Sequence, residues 1–159
     1  MKELCLTLHI LLATLWVGGM LFMVIVLIPY IRKLPDNIHI IKSVGIRYSV
    51  AGTFIGLPLL FITGLCNMNA MGISFFSLFT MPNSNPYLLT LKHKIYLFFL
   101  TFILAVIHDL YLGLRSDQNP KYRITARIVG LANLLIGIAI VYLAVKLRFG
   151  GWNRTKIYF

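Results

Sequence analysis

Residues 4–31 read LCLTLHILLATLWVGGMLFMVIVLIPYI, and the stretch contains no Asp, Glu, Lys or Arg. A bilayer core needs about 20 consecutive apolar residues in a helix, so this run is long enough to cross it. A helix is favoured because lipid offers no partner for backbone N–H and C=O groups. The run is too long for the apolar part of a secretory signal, and no clean small-x-small cleavage site follows it. The sequence therefore predicts a transmembrane helix, and we expect the mature chain to start near Met1.

Three further apolar runs follow, at residues 48–71, 95–114 and 128–145. Of the 159 residues, 59% are hydrophobic and 12% are charged. A soluble chain is about half apolar and about a quarter charged, and a body this small cannot bury so many apolar side chains in water. A short surface helix is expected around residues 38–44. We predict a single all-α domain over residues 1–159, a four-transmembrane-helix bundle with helices near 4–31, 48–71, 88–114 and 125–148.

The distribution of charge predicts how the bundle is oriented. The formal net charge is +11, but the basic residues lie between the apolar runs, so we expect a membrane protein with no nucleic-acid partner. The first and third loops carry Arg32, Lys33, Lys42, Arg47, Arg115, Lys121, Arg123 and Arg127. Basic loops stay on the cytoplasmic side, which predicts periplasmic N- and C-termini. The tail opposes this assignment mildly with Lys146, Arg148, Arg154 and Lys156.

Small and polar residues on the predicted helices indicate how the helices pack. Gly52 and Gly56 form a small-xxx-small pair, and Gly130 and Gly137 share one stripe with Asn133. Small residues let helix backbones approach closely where lipid supplies no hydrophobic drive. We expect Asn133 to form a hydrogen bond with a neighbouring helix. Pro58 is expected to kink the second helix.

Soft ligand types collect at the predicted periplasmic end of the bundle. They are Cys5, His9, Cys66, Met68, Met71 and His93. Thiolates, thioethers and imidazoles suit Cu(I), so this set is a candidate copper site. The structural alternatives are that the cysteines form a disulfide or stay as buried thiols, and that the methionines fill gaps in the core. An imidazole inside an apolar helix needs a partner, which favours a functional role for His9.

Haem is a second possibility that uses the same histidines. Axial imidazoles hold haem between the helices of membrane bundles, and His9 and His93 are expected at similar depth. His108 lies fifteen residues after His93, about 22 Å along a helix axis, so one iron cannot bind both His9 and His108 in this topology. Trp16 is expected either to pack over a bound group or to fill the core.

The third helix carries further candidate groups. Lys94 and His108 share a stripe with Thr101, and Asp109 either fixes the tautomer of His108 or pairs with a loop arginine such as Arg115 or Arg127. His39 is expected to be solvated. No nucleophile–base set, phosphate loop or zinc spacing is found, so no catalytic residue is named and the question of enzyme activity stays open.

The chain resembles the CopD-type copper-resistance membrane proteins along most of its length. The matching residues are His9 to Gly19 (HILLATLWVGG) with VLIP at 26–29, RYS at 47–49 with Thr63-Gly64, Lys92 or Lys94 with His108-Asp109 and LGLR at 112–115, and Arg127, Gly130 and NLL at 133–135. The resemblance implies a bacterial inner-membrane protein that binds or passes copper between periplasm and cytoplasm. His9 and His108 would be the family histidines. Four helices leave little room for a pore, so we expect a homodimer or a membrane-complex partner.

A more distant resemblance is to the HemJ-type protoporphyrinogen oxidases. It is carried by His9 followed by Trp16, by His93-x-Lys, in which Lys94 stands one residue after the histidine, and by the later His108. This chain has MLFMV at 20–24 in place of that family's aromatic-Leu-Pro-Arg stretch. The resemblance implies a membrane oxidoreductase or electron carrier that binds haem b.

Overall fold

The computed structural model describes residues 2–151, and these residues form helices joined by short loops. Four helices are long and apolar enough to cross a membrane, which confirms the prediction of an all-α four-helix membrane bundle. Large apolar side chains such as Leu11, Ile25 and Ile62 are exposed on the outer surfaces of the helices, as expected where lipid is the solvent. The helices are α1 (Lys2–Ile31), α2 (Asn37–Ala70), the short α3 (Phe75–Thr80), α4 (Pro86–Gly113) and α5 (Pro120–Arg148).

The second, third and fourth spanning helices begin earlier in the sequence than their apolar runs predict. Residues 38–44 are helical, but they form the first turns of α2 and not a separate surface helix. In α4 and α5 an asparagine precedes a proline, and the side chains of Asn85 and Asn119 accept hydrogen bonds from the backbone N–H two residues on. Asparagine at the cap and proline at the first position are strong start signals, so both helices begin earlier than apolarity alone predicts.

Wide π-helical turns interrupt three of the long helices. They are Met23–Leu27 in α1, Val50–Gly56 in α2 and His108–Gly113 in α4. The first two end two positions before Pro29 and Pro58. A proline ring clashes with the carbonyl four residues earlier, and proline has no N–H to donate to that carbonyl. A wider turn relieves both problems. The third contains no proline. It begins with His108 and Asp109, and π-turns of this kind are frequent at functional sites.

The four long helices pack in a ring. α1 pairs with α2 and α4 pairs with α5 along their lengths, while α2 also contacts α4 and α5 contacts α1. Gly137 of α5 lies against α1, where an added Cβ would stand 3.2 Å from Met20 Cε. At the centre, Thr101 and Asn133 form a fully buried hydrogen bond between α4 and α5, as predicted for Asn133. The central core comprises Trp16, Val17, Met20, Leu57, Leu60, Ala105 and Leu134.

Candidate functional site

One end of the bundle is closed by a disulfide between Cys5 of α1 and Cys66 of α2. We call this the disulfide end, and it also contains His9, one helical turn below Cys5. Of the alternatives that the sequence left open for the two cysteines, the structure has the disulfide. Neither sulfur is a thiolate in this form, so neither supplies the soft ligand expected of a copper site.

The other residues of the predicted copper set do not converge. Met68 is buried against Leu78 and Leu91 and fills a small core, while the Met71 thioether accepts a hydrogen bond from the Tyr87 hydroxyl at 3.0 Å. His93 is exposed on α4. Over residues 2–151, no group of three or more His, Cys, Asp or Glu side chains is placed to hold a metal ion.

His9 is held by the neighbouring helix. Its Nδ1 lies within hydrogen-bond distance of Thr63 Oγ1, at 2.9 Å, and the direction of this bond depends on the tautomer of the imidazole. The Thr63 hydroxyl also lies 2.8 Å from the Leu59 carbonyl and 3.1 Å from the Leu60 carbonyl of its own helix. Gly64 packs on the ring, with 3.4 Å between an added Cβ and His9 Cε1. The half-buried Lys94 of α4 lies close enough to interact electrostatically with His9.

The opposite end carries the basic loops, and we call it the basic end. Here His108 Nδ1 lies 2.7 Å from Asp109 Oδ1, and Thr53 of α2 donates a hydrogen bond of 2.6 Å to Asp109 Oδ2. The Asp109 side chain is 8% exposed and that of His108 is 32% exposed. Of the two roles expected for Asp109, the structure has the contact with the imidazole and not the pairing with a loop arginine; Arg115 instead stacks on Tyr111, 4.2 Å from the ring centroid.

The Nε2 atom of His108 faces Gly130 of α5. A Cβ at Gly130 would stand 3.2 Å from Nε2, so α5 packs closely on the ring because this residue has no side chain. Because Asp109 is an acceptor, Nδ1–H of His108 donates to it, and in the neutral imidazole Nε2 keeps its lone pair. An imidazole fixed at Nδ1 by a carboxylate, with Nε2 free, is the arrangement that metal-ligating histidines use.

A cavity of about 500 Å³ opens beside this histidine at the basic end. The residues that line it include apolar and polar side chains, namely Trp16, Met20, Met23, Tyr48, Thr53, Ala105, His108, Asp109 and Asn133. Its other lining residues include the cations Arg32, Lys42, Arg123 and Arg127. Of the predicted site residues, the structure therefore places His108 and Trp16 at this cavity, whereas His9, Lys94 and His93 do not line it.

Sequence reasoning missed several residues of this cavity. Tyr48 donates a hydrogen bond of 2.5 Å from its hydroxyl to the Trp16 carbonyl, which ties α2 to the middle of α1. Thr53 supports Asp109, and Met20 and Met23 contribute thioethers. A hydroxyl in an apolar run was the one available signal for Thr53, since such a group seeks a polar partner in lipid.

The comparisons with known proteins identify one relative by sequence. No family model matches the chain, and no solved structure matches it. An uncharacterized protein of Aquifex aeolicus (strain VF5) is 38% identical over 151 residues, which cover 94% of this chain and 97% of the relative. Identity at this level over nearly the full length of both chains means a shared fold. The chain therefore belongs to the same family as this Aquifex aeolicus protein.

Proposed function

We propose that this chain is a haem b-binding membrane protein, an electron carrier or oxidoreductase, in which Nε2 of His108 would hold the haem iron. The observation that carries the proposal is the free Nε2 of an imidazole fixed at Nδ1 by Asp109, beside a cavity of about 500 Å³. Pockets for cofactor-sized ligands measure about 300–1,000 Å³.

The residues present fit such a group on two further counts. Gly130, the neighbour of His108 Nε2, also lines the cavity and has no side chain that would reduce its volume. Aromatic and aliphatic side chains such as Trp16 and Ala105 line the cavity beside the histidine, and a macrocycle would pack against them. When bound, haem supplies one-electron redox chemistry. The chain's own contribution is to hold and orient the imidazole, because the hydrogen bond to Asp109 fixes its tautomer and raises its basicity as a ligand.

The absorption spectrum of protein purified from a haem-producing host tests this proposal. We expect a Soret band in the wild type, its loss in His108→Ala, and its retention in His9→Ala. His9 is the matched control because it is also a partly buried histidine that is hydrogen-bonded at Nδ1, but it does not line the cavity. A Soret band that disappears only in His9→Ala would move the site to the disulfide end and refute the assignment to His108.

Copper binding is the second candidate, and a separate observation favours it. The thioethers of Met20 and Met23 line the same cavity as His108, and thioether and imidazole together suit Cu(I). This version of the CopD-like function would pass copper through the basic end. Metal analysis of colourless protein should find copper that is lost in Met20→Leu/Met23→Leu. Haem binding through His108 alone would survive that double substitution.

We further propose the bacterial inner membrane, with the disulfide end in the periplasm. Two independent features support this orientation: disulfides persist in oxidising compartments, and the opposite end carries the basic loops that stay in the cytoplasm. The basic tail residues Arg154 and Lys156 lie outside the described residues. Alkaline phosphatase fused after the C-terminus should be active, whereas a fusion in the loop after α1 should be inactive. The reverse pattern would contradict the orientation.

A further inference from the structure

Three arginines gather at the cavity with no ion pair to an acidic residue within residues 2–151. Arg32 follows the end of α1, and Arg123 and Arg127 lie one turn apart on α5. All three line the cavity, and Arg127 is close enough to interact electrostatically with both of the others. Arg123 is half-buried, while Arg32 and Arg127 are exposed. Like charges in this arrangement repel one another, so an anion bound among them would be stabilised.

The chain's own acids do not neutralise this cluster. The sequence has four acidic residues. Asp109 is engaged by His108 and Thr53, and Asp117 accepts from Lys42, the fourth cation of the cavity, at 2.7 Å. Glu3 belongs to the disulfide end, and Asp36 forms no ion pair within residues 2–151. The three arginines consequently line the cavity with their charges uncompensated by the part of the chain that the structure describes.

We propose that Arg32, Arg123 and Arg127 form an anion subsite for the carboxylate groups of an amphiphile whose apolar body occupies the cavity. Guanidinium groups match carboxylates because their N–H donors form paired, charge-assisted hydrogen bonds. The cavity beneath supplies the apolar walls of Trp16 and Ala105. In its specific form the inference rests on the proposed function: the carboxylates are then the two propionates of haem b, which the arginines would hold while His108 would hold the iron.

The test compares ligands that differ only in charge. Wild type in phosphatidylcholine nanodiscs is titrated with haem b and with its dimethyl ester, whose carboxylates are blocked. We expect haem b to bind at least about tenfold more tightly, since a charge-assisted hydrogen bond is strong enough for that ratio. The variant Arg32→Gln/Arg123→Gln/Arg127→Gln should bind both forms alike.

A charge-matched control separates the subsite from bulk electrostatics. Arg47→Gln/Arg115→Gln/Lys121→Gln removes three charges from the same end, at residues that do not line the cavity. This variant should keep the preference for the acid. Equal binding of acid and ester by the wild type, or a preference that survives the arginine substitutions, overturns the subsite. A preference that vanishes when phosphatidylglycerol is added assigns the arginines to lipid headgroups and also overturns the proposal.

A second probe keeps this test separate from the haem assignment. If haem b does not bind, the proposed function fails, and cis-parinaric acid is compared with its methyl ester by quenching of Trp16 in a Trp152→Phe background. Tighter binding of the acid that is lost in the triple arginine variant supports the anion subsite without haem. Equal binding of the acid and the ester refutes the subsite.

Discussion

The two ends of the bundle contain the same chemical device in different surroundings. At the disulfide end, His9 Nδ1 forms a hydrogen bond with the Thr63 hydroxyl, beneath a covalent link between α1 and α2. At the basic end, His108 donates from Nδ1 to Asp109 beside a cavity of about 500 Å³. Each imidazole lies against a glycine of a neighbouring helix, Gly64 for His9 and Gly130 for His108.

A histidine that is hydrogen-bonded between helices is not by itself a ligand site. His9 has a neutral hydroxyl partner, and the sulfurs near it are joined to each other. His108 has a carboxylate partner and lines a cavity that is also lined by Arg32, Arg123 and Arg127. The disulfide end therefore joins two helices covalently, whereas the basic end has the cavity on which the proposed function rests.

Breaking the disulfide should have the largest effect on the free energy of unfolding and little effect on ligand binding at the basic end. Cys5 and Cys66 are 61 residues apart in sequence, so the bond constrains a long segment of the unfolded chain. We expect Cys5→Ser/Cys66→Ser to lower the free energy of unfolding by about 2–4 kcal/mol, measured by denaturation in detergent. The haem spectrum of the variant should be that of the wild type. Wild type treated with a thiol reductant should have the same free energy of unfolding as the variant. Loss of the spectrum together with the disulfide would refute the separation of the two ends.

Removing the partner of each histidine should distinguish the ends by ligand affinity. Asp109→Asn removes the negative charge from the acceptor of His108 Nδ1–H, and substitution of such a partner typically lowers affinity by about 10–100-fold. The matched change Thr63→Val removes the partner of His9 and should leave haem affinity unchanged in a Soret titration. An equal loss of affinity in both variants would show that the two histidines act at one site.

Adding a methyl group at the glycine beside each ring should have a smaller effect. The Gly130→Ala Cβ would stand 3.2 Å from His108 Nε2, which is closer than an ordinary contact, so the ring would have to shift. The Gly64→Ala Cβ would make an ordinary contact of 3.4 Å with His9 Cε1. We expect roughly tenfold weaker haem binding for Gly130→Ala, as for a modest overpacking cost. Gly64→Ala should bind as the wild type does. Unchanged affinity in Gly130→Ala would place the ligand on another face of His108.

The smallest effect should come from the pH dependence of the ion pair between Lys42 of α2 and Asp117 of the loop before α5, at the basic end. The hydrogen bond from Lys42 holds the pKa of the Asp117 carboxyl below its ordinary value. The pair thus stabilises the fold above the ordinary carboxyl pKa, and this contribution disappears as the pH falls through the lowered pKa of the folded state. Asp117→Asn should remove the corresponding part of the acid dependence of unfolding. The contribution should be slight, since both side chains reach solvent.

Much of the fold follows from local properties of the chain. Apolar runs and the small residues predict four spanning helices that approach one another closely, and the structure adds that α5 meets α1 at Gly137. The candidate site was predicted less completely. His108, Asp109 and Trp16 were identified, because ionisable or bulky polar groups are conspicuous in apolar runs. Thr53, Tyr48 and the two methionines of α1 were missed, because each is an ordinary residue whose role depends on which helix it faces.

The grouping of the histidines was the principal point that the sequence could not resolve. Helical spacing predicts which residues share a face of one helix, but not the rotation of that helix against its neighbours. The sequence alone determined that lipid surrounds four helices, that His9 and His108 lie near opposite ends, and that the basic loops share one end. The tertiary structure decided that Cys5 joins Cys66, that His93 faces outward and that His108 faces Gly130. These outcomes depend on contacts between distant segments, which helix packing selects.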